Sequence, residues 1–253
     1  MIRHRARAAL LAASLLLTGC GGGAAASSGH KATAPTDSAR TATRPAGTPA
    51  PDVSVRSAPR SIPGLGPRTR AAVPAAARQV VVVTGRGRDS PLSRVVLYER
   101  TGTGWRSGPV RPAHNALRGW TDHHMGGDLR SPIGVFGLTD AGGRLPDPGT
   151  RLPYDRSDGF TAPGTGFEGE PLAGSFDYVI AIDYNREPGT SPLDWTRPLG
   201  AERGGGIWLH VDHGGPTHGC VSIAEEHMKE LLRTLDPALH PVVVMGDHAS
   251  LAR

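Results

Sequence analysis

Short runs of β-branched and aliphatic residues, separated by glycine-rich or polar turns, recur over the second two thirds of the chain. These runs are Gln79–Val83, Arg94–Arg100, Ile133–Thr139, Tyr178–Tyr184, Ile207–Val211 and Pro241–Met245. Apolar runs of four to eight residues bounded by turn residues are typical of strands. The turn signal Thr101–Gly104 follows the second run and predicts a hairpin with Trp105–Arg106. We therefore predict a mainly β fold with mixed sheets.

One segment instead has helical spacing. Its apolar positions are Met228, Leu231, Leu232 and Leu235. Asp236–Pro237 would end this helix. Ser222 and Glu225 fit a capping box, which would begin the helix about two residues after Cys220. The positive end of a helix placed there would favour a thiolate at that cysteine by at most ~1 kcal/mol.

The first 19 residues have the pattern of an export signal. Arg3, Arg5 and Arg7 precede the apolar run Ala8–Leu17, which is shorter than the ~20 residues of a membrane-spanning helix. The run ends in Leu-Thr-Gly-Cys20, which resembles a bacterial lipobox and predicts cleavage before Cys20 and lipid attachment to it. The alternative is an ordinary secretory signal with an incidental cysteine.

Residues 20–77 are rich in Ala, Thr, Pro, Ser and Gly and contain few aliphatic side chains. Such a segment buries too little apolar surface to offset the entropy lost on ordering. We predict that residues 20–77 form a flexible tether and that residues 78–253 form one domain. With the lipid on Cys20, the protein is expected to be exported and anchored to the outer face of the cell membrane, in the cell envelope.

Charge is distributed unevenly along the chain. The formal net charge is +5, from 28 Lys and Arg against 23 Asp and Glu. The signal carries three of the basic residues, and the tether carries seven basic residues against two acidic ones. The predicted domain is left with a net charge of −3. The basic residues therefore lie outside the domain, which argues against nucleic acid as a partner.

The segment from Trp208 to Val221 carries the candidate chemistry. It places Cys220, one of only two cysteines, after Thr-His-Gly and downstream of His210. A thiol beside imidazoles in a glycine-rich turn is typical of a cysteine nucleophile, whose proton a histidine accepts. Gly219 would let the backbone approach a substrate, so that amide N–H groups near Cys220 receive a developing oxyanion.

Strand alternation predicts where the imidazole of His210 points. Ile207, Leu209 and Val211 would share one face of their strand and face the core, because their side chains are aliphatic. Trp208 and His210 would then share the opposite face and line a groove. Because the strand leads into the loop that carries Cys220, we expect His210 and Cys220 to meet across that turn.

Other interpretations of these residues stay open. Cys220 can be a buried structural thiol, and His218 either orients the thiol or substrate or only shapes the turn. His213 is expected to face solvent, and His123 and His124 are expected on the surface. A zinc site would draw on the ligand types present in the same segment, namely His210, Asp212, His213, His218 and Cys220. A non-catalytic wall-binding lipoprotein is a further alternative.

The segment resembles the L,D-transpeptidase catalytic domain family (YkuD-like), whose signature is an upstream histidine followed by Ser/Thr-His-Gly-Cys and an apolar residue. Here these residues are His210 and Thr217–Val221. Ser131–Phe136 resembles the Thr-Pro-x-Gly-x-Phe strand of the family, and Asp183–Asn185 resembles its Tyr-Asn segment. The resemblance covers roughly residues 79 to 246.

The resemblance implies an L,D-transpeptidase-like β-sandwich with mixed sheets and a short helix after the catalytic cysteine. It implies that Cys220 attacks the carbonyl before the terminal D-Ala of a peptidoglycan tetrapeptide stem, with His210 as the base. Backbone amides around Gly219 would hold the oxyanion, with His218 counted as a further catalytic residue. Thr217 and Trp208 are expected to bind substrate.

An amine from a second stem would resolve the thioester and form a 3-3 cross-link, whereas water would make the enzyme an L,D-carboxypeptidase. The resemblance implies no metal and no organic cofactor. The expected partners are peptidoglycan stem peptides and, through the N-terminal lipid, the membrane.

Three positions depart from the family pattern. The gap between His210 and Thr217 is shorter than usual. Val211 stands where Gly or Ser commonly follows the histidine, and Ser222 stands where Arg or Asn often follows the Cys-apolar pair. The last two differences concern how the acceptor or the stem carboxylate is held.

Overall fold

The computed structural model describes residues 58–253. The strands are β1 (Gln79–Gly85), β2 (Leu92–Arg100), β3 (Trp105–Ser107), β4 (Arg111–His114), β5 (Trp120–Thr121), β6 (Ser131–Pro132), β7 (Gly134–Gly137), β8 (Ala141–Gly143), β9 (Tyr154–Arg156), β10 (Val179–Ala181), β11 (Trp208–Val211), β12 (Val221–Ile223) and β13 (Val242–Asp247). The α-helices are α1 (Pro67–Ala72), α2 (Glu225–Thr234) and α3 (His248–Leu251), and 3-10 turns lie at Ala201–Arg203 and Pro237–Leu239. No helix within 58–253 is long and apolar enough to cross a membrane.

Most strands form one mixed sheet in the order β7-β13-β1-β2-β4-β12-β11-β10-β8-β9, with β3 paired to β2. The predicted mainly β class is confirmed. Strand β1 lies between parallel β13 and antiparallel β2. Val81 and Val83 pack into one apolar cluster and Val80 and Val82 into another, so both faces of β1 are covered. This burial explains why its sequence is a continuous apolar run.

The predicted hairpin is confirmed, since Arg100 pairs with Trp105 across the β2–β3 turn. The run Ile133–Thr139 contributes β7 to the sheet, and the run Tyr178–Tyr184 contributes β10. The sequence does not predict the shorter strands β4, β8, β9 and β12, because three or four residues carry little periodic signal.

The predicted start of the helix is wrong. Helix α2 begins at Glu225, its N-cap residue is Ala224, and no side chain caps it. Ser222 lies in β12, opposite His210 in the parallel pair, and its hydroxyl donates to Asp212 Oδ1 at 2.6 Å. Ser222 therefore pairs in a strand instead of capping the helix as the capping pattern had predicted. A strand follows Cys220, and the positive end of α2 is not adjacent to the thiol.

The predicted start of the domain at residue 78 is also wrong. Ile62, Leu65 and Ala77 are buried in the cluster on the second face of β1, together with Leu251. The backbone N–H of Gly66 donates to the Leu251 carbonyl at 2.8 Å. Residues 58–77 are therefore part of the folded domain. The predicted signal at 1–19, Cys20 and the rest of the predicted tether lie outside the described residues.

Candidate active site

Two adjacent parallel strands position the candidate nucleophile and base. In the β11–β12 pair, Leu209 lies opposite Val221 and His210 lies opposite Ser222. Leu209 and Val221 are fully buried in the core. Because side chains alternate along a strand, Cys220, just before β12, shares the opposite face with His210. Both residues line one groove, as does Trp208, which agrees with the division of faces predicted from the sequence.

The groove has a volume of about 530 Å³. Its floor is the β11–β12 pair. One wall is the segment between β9 and β10, which contributes Phe176 and Leu172. The other wall is the segment between β10 and β11, which contributes Trp195 and Arg197. The strands thus carry the candidate chemistry, and the two long connections enclose the space in which a substrate would lie.

The imidazole of His210 is fixed by its own strand. Nδ1–H donates to the carbonyl of Val211 at 2.8 Å, which leaves Nε2 as the proton acceptor. The ring of Phe176 meets it edge-on at 5.2 Å. Burial lowers the pKa of His210 to about 4. At neutral pH the residue is therefore a neutral base.

The thiol of Cys220 is partly exposed to the groove and otherwise surrounded by protein. Sγ donates to the carbonyl of Gly206 at 3.5 Å. Burial raises the pKa of Cys220 to about 11, although the Trp208 N–H opposes this by favouring the thiolate. The resting pair is thus a thiol and a neutral imidazole. A thiolate would form as His210 takes the proton during attack.

The turn before the cysteine is held internally by Thr217. Its hydroxyl donates to the carbonyl of Cys220 at 2.7 Å, and its backbone N–H donates to the carbonyl of Asn115 at 3.0 Å. Thr217 lines the groove but is only 3% exposed. Its hydroxyl therefore shapes the turn, whereas the sequence had placed it among the substrate-binding groups.

Gly219 is closely packed against the side chain of Ile207. A Cβ at this position would lie 2.9 Å from Ile207 Cδ1, which is closer than such contacts occur. Its own N–H has no acceptor among residues 58–253. An amide N–H next to Cys220 is thus free of an acceptor within the described residues, as an oxyanion hole would require.

His218 and Trp208 occupy different depths of the groove. His218 is exposed at the rim, where its ring packs against Phe167 at 4.6 Å. Trp208 lies deeper, between Phe160 at 5.8 Å and Phe176 at 4.9 Å. The indole of Trp208 is therefore placed to form an apolar side of the groove, and His218 to meet a ligand at the entrance.

The prediction that His213 faces solvent is wrong. Its side chain is 5% exposed, and Nδ1 lies 3.1 Å from Glu170 Oε1. Its ring lies parallel to that of His210 at 5.8 Å. A Cβ on Gly215 would meet Glu170 Oε1 at 2.2 Å, so this carboxylate lies directly against the loop before Cys220. Glu170 and His213 are 43 positions apart, and no local pattern reveals their contact.

His124 is also placed differently from the prediction. Its side chain is 5% exposed, and Nδ1 lies 3.1 Å from Asp128 Oδ1. Burial lowers the pKa of His124. Its Cε1 lies 3.7 Å from the position of a Cβ on Gly219, and Tyr184 meets the ring edge-on at 5.2 Å. His124 therefore supports the turn of the candidate nucleophile from below.

The wall between β10 and β11 is anchored by buried polar groups. The Asn185 amide donates to the carbonyls of Gly200 at 2.9 Å and Gly204 at 2.5 Å. Arg186 makes ion pairs with Asp140 at 2.9 Å and with Asp183, and all three side chains are buried. The Tyr-Asn segment noted in the sequence thus fixes the chain that leads into β11.

The side chains of the zinc alternative do not converge as ligands. Asp212 contacts His114 at 2.8 Å and Ser222 at 2.6 Å, and both contacts hold its carboxylate. Within residues 58–253, no group of three or more His, Cys, Asp or Glu side chains is arranged to hold a metal ion. The contact with Asp212 raises the pKa of His114.

Comparison with known proteins gives one family match. A model of the L,D-transpeptidase catalytic domain (YkuD) matches residues 76–244. Among solved structures, the chain is similar to Bdellovibrio bacteriovorus Bd1075, with 16% identity, a TM-score of 0.34, and coverage of 66% of this chain and 47% of that one. It is also similar to the helical cell shape determining protein Pgp2 from Campylobacter jejuni, with 18% identity, a TM-score of 0.37, and coverage of 67% and 48%. This chain thus spans about half the length of both. No curated protein gives a significant match.

Proposed function

Because the chain belongs to the L,D-transpeptidase catalytic domain family (YkuD), whose members act on peptidoglycan, we propose that it is a peptidoglycan L,D-transpeptidase with Cys220 as nucleophile. The observation that carries the proposal is the placement of Cys220 and His210 on one face of two paired strands. The Val211 carbonyl holds the imidazole in the tautomer that accepts a proton.

In the first step, Cys220 Sγ attacks the carbonyl before the terminal D-Ala of a tetrapeptide stem. The thiol proton passes to His210 Nε2, and the oxyanion accepts a hydrogen bond from the Gly219 N–H. The C–N bond then breaks, and His210 returns the proton to the leaving amine of D-Ala. The products are free D-Ala and a thioester on Cys220.

In the second step, an amine of another stem attacks the thioester. His210 takes the proton of that amine, the C–S bond breaks, and the proton returns to Sγ. The new amide joins residues at position three of both stems, which is a 3-3 cross-link. Water in place of the amine would give a tripeptide stem and define a carboxypeptidase.

We also propose that the protein is exported and anchored to the outer face of the membrane by lipid on Cys20. The lipobox-like end of the apolar run supports this. Partitioning between detergent and aqueous phases compares wild type with Cys20→Ala, and only wild type should enter the detergent phase. Wild type remaining in the aqueous phase would contradict the anchor without touching the chemistry.

The function is tested by incubating the purified protein with defined tetrapeptide stems and analysing the products by mass spectrometry. We expect D-Ala release, a covalent adduct on Cys220, and a dimer linked 3-3. Tripeptide without dimer would identify a carboxypeptidase. Turnover that a chelator abolishes and Cys220→Ala retains would favour a metallohydrolase, and absence of any turnover or adduct would favour a wall-binding protein.

A further inference from the structure

Arg197 stands out among the groove residues. Of the Lys and Arg side chains that the structure describes, it is the one that lines the groove of Cys220. Nη1 donates to the carbonyls of Asp194 at 3.1 Å and Thr196 at 2.9 Å, and the guanidinium lies 4.8 Å from the ring centroid of Trp195. These contacts fix the orientation of the guanidinium plane.

Within residues 58–253, Arg197 forms no salt bridge and its Nε and Nη2 groups have no acceptor, although the Asp194 carboxylate attracts the guanidinium from beyond salt-bridge distance. The side chain is half-buried, and this desolvation lowers its pKa. A cation removed from water is costly unless an anion or good hydrogen-bond acceptors compensate it. A guanidinium held in place with donors unused is suited to a carboxylate ligand.

Two glycines bring this guanidinium close to the nucleophile. A Cβ on Gly205 would lie 2.2 Å from Arg197 Nε, so the guanidinium lies directly against the Gly205 backbone. A Cβ on Gly206 would lie 3.9 Å from Nη2, and the Gly206 carbonyl accepts from Cys220 Sγ at 3.5 Å. Added together, these contacts place Cys220 Sγ and Arg197 Nη2 at most about 10 Å apart.

A donor peptide spans a similar distance. Its scissile carbonyl would lie about 3–3.5 Å from the thiol, and the carboxylate of the next residue about 4 Å further on. A charge-assisted hydrogen bond of about 2.8 Å then reaches a guanidinium. Ser222, at the position where the family often has arginine, is buried and bonded to Asp212, so it supplies no cation.

We propose that Arg197 binds the terminal carboxylate of the donor stem, the carboxylate that leaves with D-Ala. Trp195, which is 80% exposed, backs the guanidinium and limits its hydration. This proposal rests on the proposed function. It means that the wall between β10 and β11 selects donors with a free C-terminus.

The test compares two donors with the full-length protein. One is a tetrapeptide stem with a free terminal carboxylate, and the other is the same peptide with a terminal carboxamide. Release of D-Ala or D-alaninamide gives kcat/KM. We expect Arg197→Ala to lower kcat/KM for the carboxylate donor about 10- to 100-fold, as for a lost charge-assisted hydrogen bond, and to leave the carboxamide donor within about twofold.

Arg156→Ala is the matched control, because Arg156 is exposed, outside the groove, and makes no ion pair in the described structure. It should leave both donors unchanged. Arg197→Lys retains the charge and should recover part of the loss. Iodoacetamide labelling of Cys220 at the wild-type rate would show that the site of each variant is folded.

Equal loss on both donors in Arg197→Ala, or no loss on either, would overturn the assignment while wild-type turnover still supports the enzyme. Wild type that releases neither D-Ala nor D-alaninamide and forms no Cys220 adduct would overturn the proposed function, and this assignment with it. The two failures are therefore distinguished by the wild-type reaction alone.

Discussion

The floor of the groove and its walls are stabilised in different ways. The floor is the β11–β12 pair, with Leu209, Val221 and Ile223 fully buried beneath it. The walls are long connections held by a few polar contacts, such as Glu170 with His213 and Asn185 with its carbonyls. The floor, which carries Cys220 and His210, is held by close packing, whereas each wall depends on these few contacts. We therefore expect floor substitutions to affect the chemistry and wall substitutions to affect substrate choice.

The largest expected effect comes from the floor. Cys220→Ala should abolish acyl-enzyme formation, and His210→Ala should lower its rate about 10³-fold or more, because the two residues act as a unit. The rate is measured by intact-mass spectrometry after mixing with donor peptide. His123→Ala, at an exposed histidine, serves as the control. A wild-type acylation rate in His210→Ala would assign the base to another residue.

A large effect on stability is expected at the anchor of the second wall. Arg186→Met should lower the free energy of unfolding by about 3–5 kcal/mol, because it leaves the buried carboxylates of Asp140 and Asp183 without their cation. Urea unfolding measures the change, with Arg144→Met at an exposed ion pair as the control. A loss below about 1 kcal/mol would show that the stability of the wall does not depend on the ion pairs of Arg186.

The floor should also be sensitive to acid. The pKa of His210 is lowered to about 4 in the folded state, below the ordinary value of 6.5. Between these values the unfolded chain binds the extra proton, so stability falls as pH drops from about 6.5 to 4, by about 3 kcal/mol from this residue. Unfolding by urea at several pH values measures this slope. In His210→Gln the slope should be reduced, and an unchanged slope would contradict the assignment.

The smallest effect is expected at the first wall. Glu170→Gln removes the charge opposite His213 but keeps a hydrogen-bond acceptor. We expect KM for the donor to rise about two- to fivefold with kcat unchanged, because the amide keeps the hydrogen bond to His213 and loses only its charge assistance. Steady-state kinetics with the tetrapeptide donor measures both constants. A large fall in kcat with unchanged KM would place Glu170 with the floor.

The sequence predicts the floor better than the walls because alternation along a strand is local. The opposite faces of Leu209 and His210 follow from neighbouring positions alone. The capping pattern at Ser222 is equally local and is wrong, because pairing with β11 competes for the same residue. The contact of Glu170 with His213 joins positions that are 43 residues apart and carries no periodic signal.

The domain boundary shows the same limit. Composition assigned residues 58–77 to the tether because they contain few aliphatic residues. Ile62 and Leu65 nevertheless pack in the cluster on the second face of β1 and help to bury its apolar side chains. A segment with few apolar residues can thus fold when another element supplies the surface it covers.

The packing of residues 58–77 has a mechanical consequence. A pulling force applied to the chain before residue 58 would first load the bond from Trp105 N–H to the Pro59 carbonyl and then those of Gly66 and Arg68 with the last residues of the chain. A force applied at residue 58 would reach these hydrogen bonds before it reached β1. Tension on the preceding part of the chain would therefore detach residues 58–77 first, and β1, β11 and Cys220 would bear load only afterwards.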